Sequence, residues 1–189
     1  AEETGYDLSR LQARFGVSFE QAAHRLTTLS RPTARGVPFF LMRVDQAGNI
    51  SKRYAAGAFP FSRFGGACPR WRLHSAFRTP GRVVTQIIET PDGSRWFTLS
   101  RAVHPQTAVS GGVEAEFAIC LGLDAKLAAP LASARGMDLK NGTATGIGLG
   151  CSACTRPECP QRSAPPTGRV LVFNERERGM SPFTFDQLS

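Results

Sequence analysis

The sequence predicts an α+β fold in which an antiparallel β-sheet with flanking helices follows an N-terminal helical hairpin and precedes a C-terminal cysteine-rich loop. Three observations support this fold class. Apolar residues recur at helical spacing between residues 8 and 29, and strand-like runs separated by turns follow from residue 37. Three cysteines then lie within nine residues of a Gly- and Pro-rich segment, from Cys151 to Cys159.

The first predicted element is a pair of short helices. Apolar positions at helical spacing run from residue 8 to residue 15, and Gly16 can end that helix. Ser18 and Gln21 form a capping box that opens a second amphipathic helix. The pair looks superficially like a DNA-reading helix-turn-helix, but the second helix uses its regular positions for burial and leaves few polar groups to contact bases. We therefore expect a packing or dimerising hairpin over residues 1–30.

From residue 37 the pattern changes to that of β-strands, with turns at residues 45–49 and 91–94. The predicted strands span residues 37–44, 50–54, 82–90, 95–101, 113–123 and 170–174. A short helix is predicted at residues 69–77 and another from Asp124 onward. Together these elements predict a sheet of about five or six strands with helices on one side, an architecture that sensor domains use.

Positive charge is concentrated in the middle of the chain. Lys and Arg total 23 against 15 Asp and Glu, and residues 31–101 alone contain 12 basic and 3 acidic side chains. Such a surplus attracts polyanions, which include nucleic acid, an anionic membrane face and a phosphate-rich cofactor. No apolar stretch approaches the roughly 18 residues that a membrane span needs, so we expect a soluble protein.

The cysteine-rich loop has the chemistry of a metal or iron–sulfur site. Cys151, Cys154 and Cys159 follow the spacing C-x2-C-x4-C, which lets one loop surround a single centre from three directions. A fourth ligand must then come from elsewhere. Cys68 follows a Gly-Gly-Ala run and precedes a proline, a flexible setting suited to a ligand, whereas Cys120 lies in an apolar run typical of a core thiol. We therefore predict Cys68 as the fourth ligand.

Two kinds of centre compete for this loop. A tight trio of cysteines with one distant partner is the commoner habit of a cubane iron–sulfur cluster. Structural zinc usually takes two short pairs of ligands, and no second pair is present. Reduced thiols without a metal are the third option. Disulfides are disfavoured because the chain has five cysteines, an odd number, and because no secretory signal segment opens it, so we expect a cytoplasmic protein.

Motifs of the common enzyme classes are missing. The sequence contains neither a Gly-x-Ser-x-Gly elbow nor a His-Glu-x-x-His pair, and the glycine run at residues 146–150 leads into the cysteine loop instead of a helix N-terminus. Pro157 and Pro160 make the C-x2-C pair a poor start for a thioredoxin-like helix. We therefore predict a binding protein without catalytic residues.

The cationic middle of the chain is also rich in aromatic residues. Arginine side chains there can contact phosphates, and aromatic rings can line an acyl or ring pocket, although most of the phenylalanines are expected in the core. The predicted ligand-binding residues are Arg53, Tyr54, Arg70, Trp71, Arg72, Phe39 and Phe77.

Two segments, residues 64–77 and 148–162, carry a family resemblance. The first reads FGGACPRWRLHSAF, and the second reads GLGCSACTRPECPQR. They resemble the C-terminal sensor domain of the short-chain fatty acyl-CoA-responsive transcriptional regulators, bacterial proteins of the xenobiotic-response-element type. The resemblance covers residues 31–185, and residues 8–30 resemble the closing helices of the metallopeptidase-like middle domain of those regulators.

The resemblance implies a domain organisation and a set of bound groups. Residues 1–30 would be the tail of a preceding domain, and residues 31–185 an acyl-CoA-sensing domain with an iron–sulfur motif at about residues 145–165. A short-chain acyl-CoA or coenzyme A would be the effector. The implied ligands of a [4Fe-4S] cluster are Cys68, Cys151, Cys154 and Cys159.

The resemblance also implies partners. DNA would be bound by an upstream domain absent from this chain, in order to control propionate or acetate catabolism, and a homo-oligomer is compatible with this organisation. The alternative from a different class is a zinc-binding nucleic-acid-binding protein that uses the positively charged segment at residues 31–101.

Overall fold

The computed structural model describes residues 1–62, 65–105, 115–173, 176, 181 and 183–186. The helices are α1 (Leu8–Phe15) and α2 (Phe19–Thr27), and the strands are β1 (Ser30–Arg31), β2 (Ala34–Arg35), β3 (Phe40–Val44), β4 (Ile50–Ala55), β5 (Val84–Glu89), β6 (Arg95–Val103), β7 (Phe117–Asp124) and β8 (Thr145–Gly146). Short 3-10 helices lie at Glu2–Thr4, Arg72–Arg78, Ala125–Leu127, Ala132–Ala134 and Cys151–Ala153.

The helical hairpin forms as the sequence predicts. The carboxylate of Asp7 accepts two backbone N–H groups from the first turn of α1, and Gly16 ends this helix in the left-handed region at φ 62°. Ser18 and Gln21 exchange side-chain and backbone hydrogen bonds in the predicted capping box at the start of α2. The hairpin packs through its apolar stripe and is not presented as a recognition helix, since residues such as Phe19 are buried.

Six strands form one sheet in the order β4-β3-β7-β6-β5-β8. Neighbouring strands are antiparallel except for β5 and β8, which pair in parallel where Ile88 lies opposite Thr145. The predicted α+β class with an antiparallel sheet is therefore confirmed, with one short parallel edge added. This edge matters for function because β8 leads directly into the cysteine loop.

Both faces of the sheet are buried. On one face, Phe39 and Leu121 belong to a core that also contains Phe19 and Leu26 of α2. On the other face, Phe40 and its neighbours form a second core. The prediction of helices on one side only was wrong, because the 3-10 helix Arg72–Arg78 and the segment before it cover the second face.

The second core is built from aromatic rings. Phe40 stacks on Phe59 with ring centroids 3.8 Å apart, and Trp96 meets Phe59 edge-on at 5.0 Å. The indole N–H of Trp71 donates to the hydroxyl of Thr98 at 3.4 Å, which gives this buried polar group a partner. The aromatic core therefore fixes the segment that carries Cys68, three residues before Trp71, against the sheet.

Several boundaries differ from the prediction. The first strand of the sheet begins at Phe40 instead of residue 37, and the helix predicted at residues 69–77 is the 3-10 helix Arg72–Arg78. The helix predicted from Asp124 is a single 3-10 turn, in which that carboxylate caps the backbone N–H of Lys126. The spacing of apolar residues in these two short segments did not distinguish a 3-10 turn from an α-helix.

The strand predicted at residues 170–174 is reduced to an isolated bridge between Leu171 and Phe185, and residue 174 lies outside the described residues. Residues 113 and 114 of the strand predicted at 113–123 also lie outside them. The proposed division at residue 30 stays a prediction, although α1 and α2 share one core with the sheet. In the described part of the chain, no helix has the length and apolarity to cross a membrane.

Gly122 is predicted to be required for the aromatic core. A Cβ at this position would lie 2.5 Å from Cζ of Phe40 and 2.9 Å from the carbonyl oxygen of Phe97. Gly122→Ala should therefore lower the free energy of unfolding by about 1–3 kcal/mol, measured by urea denaturation. Gly57→Ala is the matched control, since its Cβ would make only ordinary contacts with Pro38, and it should change stability by less than about 0.5 kcal/mol. Equal stability of the two variants would contradict this packing argument.

Candidate functional site

The structure brings the four predicted ligand cysteines to one cavity. Cys68, Cys151, Cys154 and Cys159 all line a small cavity between the cysteine loop and the segment that precedes the 3-10 helix Arg72–Arg78. The fifth cysteine, Cys120, lies on β7 in the second core and does not line this cavity. The choice of Cys68 over Cys120 as neighbour of the cysteine trio therefore agrees with the geometry.

Two glycines let the loop close around the cavity. A Cβ on Gly148 would lie 2.5 Å from Sγ of Cys154, so only glycine permits this approach without displacing the thiol. Gly150, the residue before Cys151, has φ 98°, in the left-handed region that side chains rarely adopt. The glycine run therefore positions cysteines, which explains why it does not lead into a phosphate-binding helix.

Arg162 is buried inside the loop. Its side chain is 7% exposed, and its Nη2 donates to the carbonyl oxygens of Cys154 and Arg156 at 2.9 and 2.8 Å. Its Nη1 donates to the carbonyls of Cys151 and Ala164 at 3.1 and 3.4 Å. One side chain thus binds four backbone carbonyls of the loop, of which that of Cys151 also accepts the backbone N–H of Cys154 at 3.3 Å.

Arg156 joins the loop to the edge of the sheet. Its Nε donates to the carbonyl of Ile147 at 3.0 Å, and its Nη2 donates to the carbonyls of Glu89 and Thr90 at 3.0 and 3.3 Å. The carboxylate of Glu89 lies 3.6 Å from the same guanidinium. A Cβ on Gly146 would lie 2.6 Å from Nη1 of Arg156, so glycine in β8 makes room for this tether.

The thiols differ in their electrostatic surroundings. Burial raises the pKa of the Cys68 thiol, while hydrogen bonds from the backbone N–H groups of Gly148 and Arg70 act in the opposite direction. Complete burial raises the pKa of Cys120 to about 12, which makes it an inert core thiol. The hydroxyl of Ser163 lies 3.2 Å from Sγ of Cys151. Backbone and hydroxyl donors thus already point at two of the four cavity thiols.

Among the described residues, no group of three or more His, Cys, Asp or Glu side chains could hold a single metal ion as arranged here. A tetrahedral zinc ion with Zn–S bonds of about 2.3 Å keeps its sulfur ligands roughly 3.8 Å apart. The four thiols share one cavity, and no three of them form a ready site for a single metal ion.

The predicted ligand-binding residues are not brought into one pocket. Phe39 is buried in the core under α2, whereas Trp71 is buried in the aromatic core on the opposite face of the sheet, with Phe77 packed against that core. Arg70 lines the cysteine cavity, and Arg72 is exposed.

The last two predicted ligand-binding residues, Arg53 and Tyr54, are both exposed on the edge strand β4. Arg53 lies opposite Met42, on the face of the aromatic core, and it donates to the carbonyl of Ser62. Tyr54 lies opposite Leu41, on the helical face, where its ring meets that of His24 edge-on at 6.2 Å. The alternation of side chains along a strand therefore separates these neighbours.

A large cleft that the sequence did not predict lies beside the helical hairpin. Its volume is about 920 Å³, within the range of roughly 300–1,000 Å³ typical of small-molecule sites. Gln12, Phe19 and His24 line it from α1 and α2, and Lys52 and Arg101 line it from β4 and β6. These residues are far apart in sequence and share no motif, so nothing in the sequence marked them as one site.

The cleft carries cations with incomplete pairing. Lys52 and Arg43 share one carboxylate oxygen of Glu20, each at 3.3 Å. Arg101 donates from Nη1 to the side chain of Gln12 at 3.0 Å, and its buried Nε has no hydrogen-bond partner among the described residues. Such a site favours a ligand with anionic oxygens, because they accept hydrogen bonds from arginine.

Residues 28–183 match the family model described as short-chain fatty acyl coenzyme A regulator, C-terminal. The chain belongs to this family. The match covers all four cysteines that line the cavity and the cationic residues of the cleft on β4 and β6, so the resemblance found in the sequence is confirmed.

Regulators with similar sequences come from Cereibacter sphaeroides and Mycobacterium tuberculosis. The chain is 49% identical over 183 residues to a propionyl-CoA carboxylase regulator of Cereibacter sphaeroides, which covers 97% of this chain and 40% of that protein. It is 44% identical over 191 residues to the HTH-type transcriptional regulator RamB of Mycobacterium tuberculosis, covering 100% of this chain and 40% of that protein. It is 42% identical over 190 residues to the HTH-type transcriptional regulator PrpR of the same organism, covering 100% of this chain and 39% of that protein.

A solved structure shares the fold. A Mycobacterium tuberculosis transcriptional regulator matches with a TM-score of 0.90 and 42% identity, over 97% of this chain and 56% of that one. The chain spans about two fifths of the length of the curated regulators that it matches. The family and the fold of this chain are therefore established.

The close approach of Gly148 to Cys154 makes a prediction about thiol reactivity. In the metal-free protein, the half-buried Cys151 and Cys159 should react faster with iodoacetamide than the buried Cys68 and Cys154. Gly148→Ala should displace Cys154 and raise its labelling rate several-fold, read by peptide mass spectrometry. Gly57→Ala, remote from the cavity, should leave the rate unchanged. An unaltered Cys154 rate in Gly148→Ala would show that the loop tolerates a side chain there.

Proposed function

We propose that the chain is the ligand-sensing regulatory domain of a bacterial transcription factor that controls short-chain fatty acid catabolism. In this proposal it binds a short-chain acyl-CoA and holds a [4Fe-4S] cluster through Cys68, Cys151, Cys154 and Cys159. The observation that carries the proposal is the meeting of these four thiols, from two distant segments, at one cavity beside the buried Arg162.

The donor set supports an iron–sulfur centre over zinc. All four candidate ligands are soft thiols, which suit both. They line one cavity as a tight trio with one partner distant in sequence, which is the commoner arrangement for a cluster, whereas structural zinc usually takes two short pairs. The four thiol side chains that line the cavity fit such a cluster.

An iron–sulfur cluster, when bound, supplies one-electron redox chemistry and links its ligands. The residues of this chain determine what such a link connects. Cys68 is fixed by the aromatic core through Trp71, and the cysteine trio is joined to β5 by Arg156. Ligation by all four cysteines would therefore attach the loop to the sheet at two places, the end of β5 through Arg156 and the aromatic core through Cys68.

The cleft beside the hairpin supports an acyl-CoA effector. Its size suits a coenzyme, and Lys52 and Arg101 offer cations to the phosphates of coenzyme A. It lies between α1, α2 and the sheet, so a ligand bound there contacts both the hairpin and the strands. Binding would shift the population of conformations of the regulator by its differential affinity for them.

DNA binding belongs, in this proposal, to a part of the regulator outside the present chain. Two of the similar proteins are named HTH-type transcriptional regulators, and this chain covers only 40% and 39% of their length. The helical hairpin of this chain buries the apolar stripe of α2 in the core. No catalytic step is assigned to the chain, since the function proposed for it requires only binding.

The cluster ligands can be tested one at a time. After anaerobic reconstitution, the wild-type chain should contain about four iron atoms and absorb broadly near 400 nm, whereas serine at position 68, 151, 154 or 159 should lower the iron content by at least about half. Cys120→Ala is the matched control and should load like the wild type, because that thiol lies outside the cavity. If the chain instead contains about one zinc ion and no iron, the site is a zinc site and the proposed cluster is wrong.

The effector site is tested by calorimetric titration with propionyl-CoA. Arg101→Gln should weaken binding about tenfold through the loss of a charge-assisted hydrogen bond, whereas Arg72→Gln, on the opposite face, should not. Arg135→Gln is an exposed control outside the cleft. If Arg72→Gln weakens binding and Arg101→Gln does not, the effector lies near the predicted residue Arg72 instead of in the cleft. If the wild-type chain does not bind propionyl-CoA, the proposed effector is wrong.

The rival function, a zinc-dependent nucleic-acid-binding protein, is supported by the excess of 12 basic over 3 acidic residues between positions 31 and 101. A salt-dependent gel shift with this chain alone would favour it. The burial of α2 weighs against it, because a recognition helix needs exposed polar side chains.

A further inference from the structure

A buried cation lies at the centre of the cysteine loop. The guanidinium of Arg162 donates to the carbonyls of Cys151 and Cys154 at 3.1 and 2.9 Å, so it is bonded to the backbone of two of the four candidate ligands. Its other face lies over the ring of Phe185, 4.8 Å from the centroid. Among the described residues, it also donates to the neutral carbonyls of Arg156 and Ala164.

In the part of the chain that the structure describes, the charge of Arg162 has no carboxylate partner. Among the described residues, no Asp or Glu lies within salt-bridge distance of its guanidinium, whereas Arg156 in the same loop has Glu89 at 3.6 Å. A buried cation without a counter-charge is strongly unfavourable. Arg162 lines the same cavity as the four cysteines. As thiolate ligands, these cysteines would supply the negative charge that Arg162 otherwise lacks.

The two roles of the side chain reinforce each other. The planar fork of arginine holds two ligand cysteines by their carbonyls in one arrangement, which a lysine cannot reproduce. The positive charge then lies beside the place where the thiolates converge. A fixed cation near such a centre favours the form that carries more negative charge, which is the reduced form.

We propose that Arg162 is the internal counter-ion and positioning residue of the cysteine centre: its hydrogen bonds shape the loop, and its charge raises the reduction potential of the group held there. This inference rests on the proposed [4Fe-4S] function. It adds a residue outside the ligand set that controls how easily the centre is reduced.

The test is a potentiometric titration of the reconstituted chain, with electron paramagnetic resonance as the readout. Arg162→Gln should shift the midpoint potential to a more negative value, because the reduced form loses its neighbouring cation. Arg162→Lys keeps the charge and should lie nearer to the wild type. Arg135→Gln removes one positive charge at an exposed position and should leave the potential unchanged.

Loss of the cluster in a variant is also informative. If Arg162→Gln loads little iron, Arg162→Lys should load more, since it retains the counter-charge. Equal losses in both variants, or equal potentials in Arg162→Gln and the wild type, would overturn the counter-ion role while leaving the proposed cluster in place. A wild-type chain that takes up neither iron nor sulfide would instead overturn the proposed cluster, and this inference with it.

Discussion

Two arginine side chains take the place of regular secondary structure around the cysteine loop. After β8 the described chain contains only one 3-10 turn and one isolated bridge, so most carbonyls of the loop have no strand or helix partner. Arg162 donates to four carbonyls of the loop from inside, and Arg156 binds the loop to the end of β5. The position of the cysteines thus depends on buried cationic hydrogen bonds, which are stronger than neutral ones.

The sheet provides the second constraint. Because both of its faces are buried, the segment that carries Cys68 is held by packing against the aromatic core, and the hairpin is held by packing against the opposite core. Gly122 allows Phe40 to lie flat in the aromatic core, and Gly148 allows Cys154 to approach the cavity. The cavity and the cleft lie on different faces of one sheet, which packs against both the hairpin and the segment that carries Cys68. This arrangement is compatible with coupling between the proposed effector and the proposed cysteine centre.

Sequence and structure agree best where the signal is local. The capping box at Ser18, the alternating strands and the spacing of the cysteine trio all predict short-range geometry, and the structure has it. The Gly-rich and Pro-flanked setting of Cys68, unlike the apolar run around Cys120, also predicted a place beside the trio, and the structure puts Cys68 at the same cavity. Its role as a ligand stays a prediction. The predicted ligand residues show the opposite case. Phe39 and Trp71 were grouped by composition, yet they lie on opposite faces of the sheet.

The sequence by itself determined the α+β class, the hairpin, the cysteine motif and the family, because periodicity, caps and short spacings act over a few residues. Only the tertiary structure decided that a second core covers the other face and that Lys52 and Arg101 share a cleft with the hairpin. It also decided that Arg162 lies buried among the cysteines rather than on the surface. These features depend on contacts between segments that are far apart in the chain. The composition gives the number of arginines, but only the packing of the folded chain determines which of them are buried.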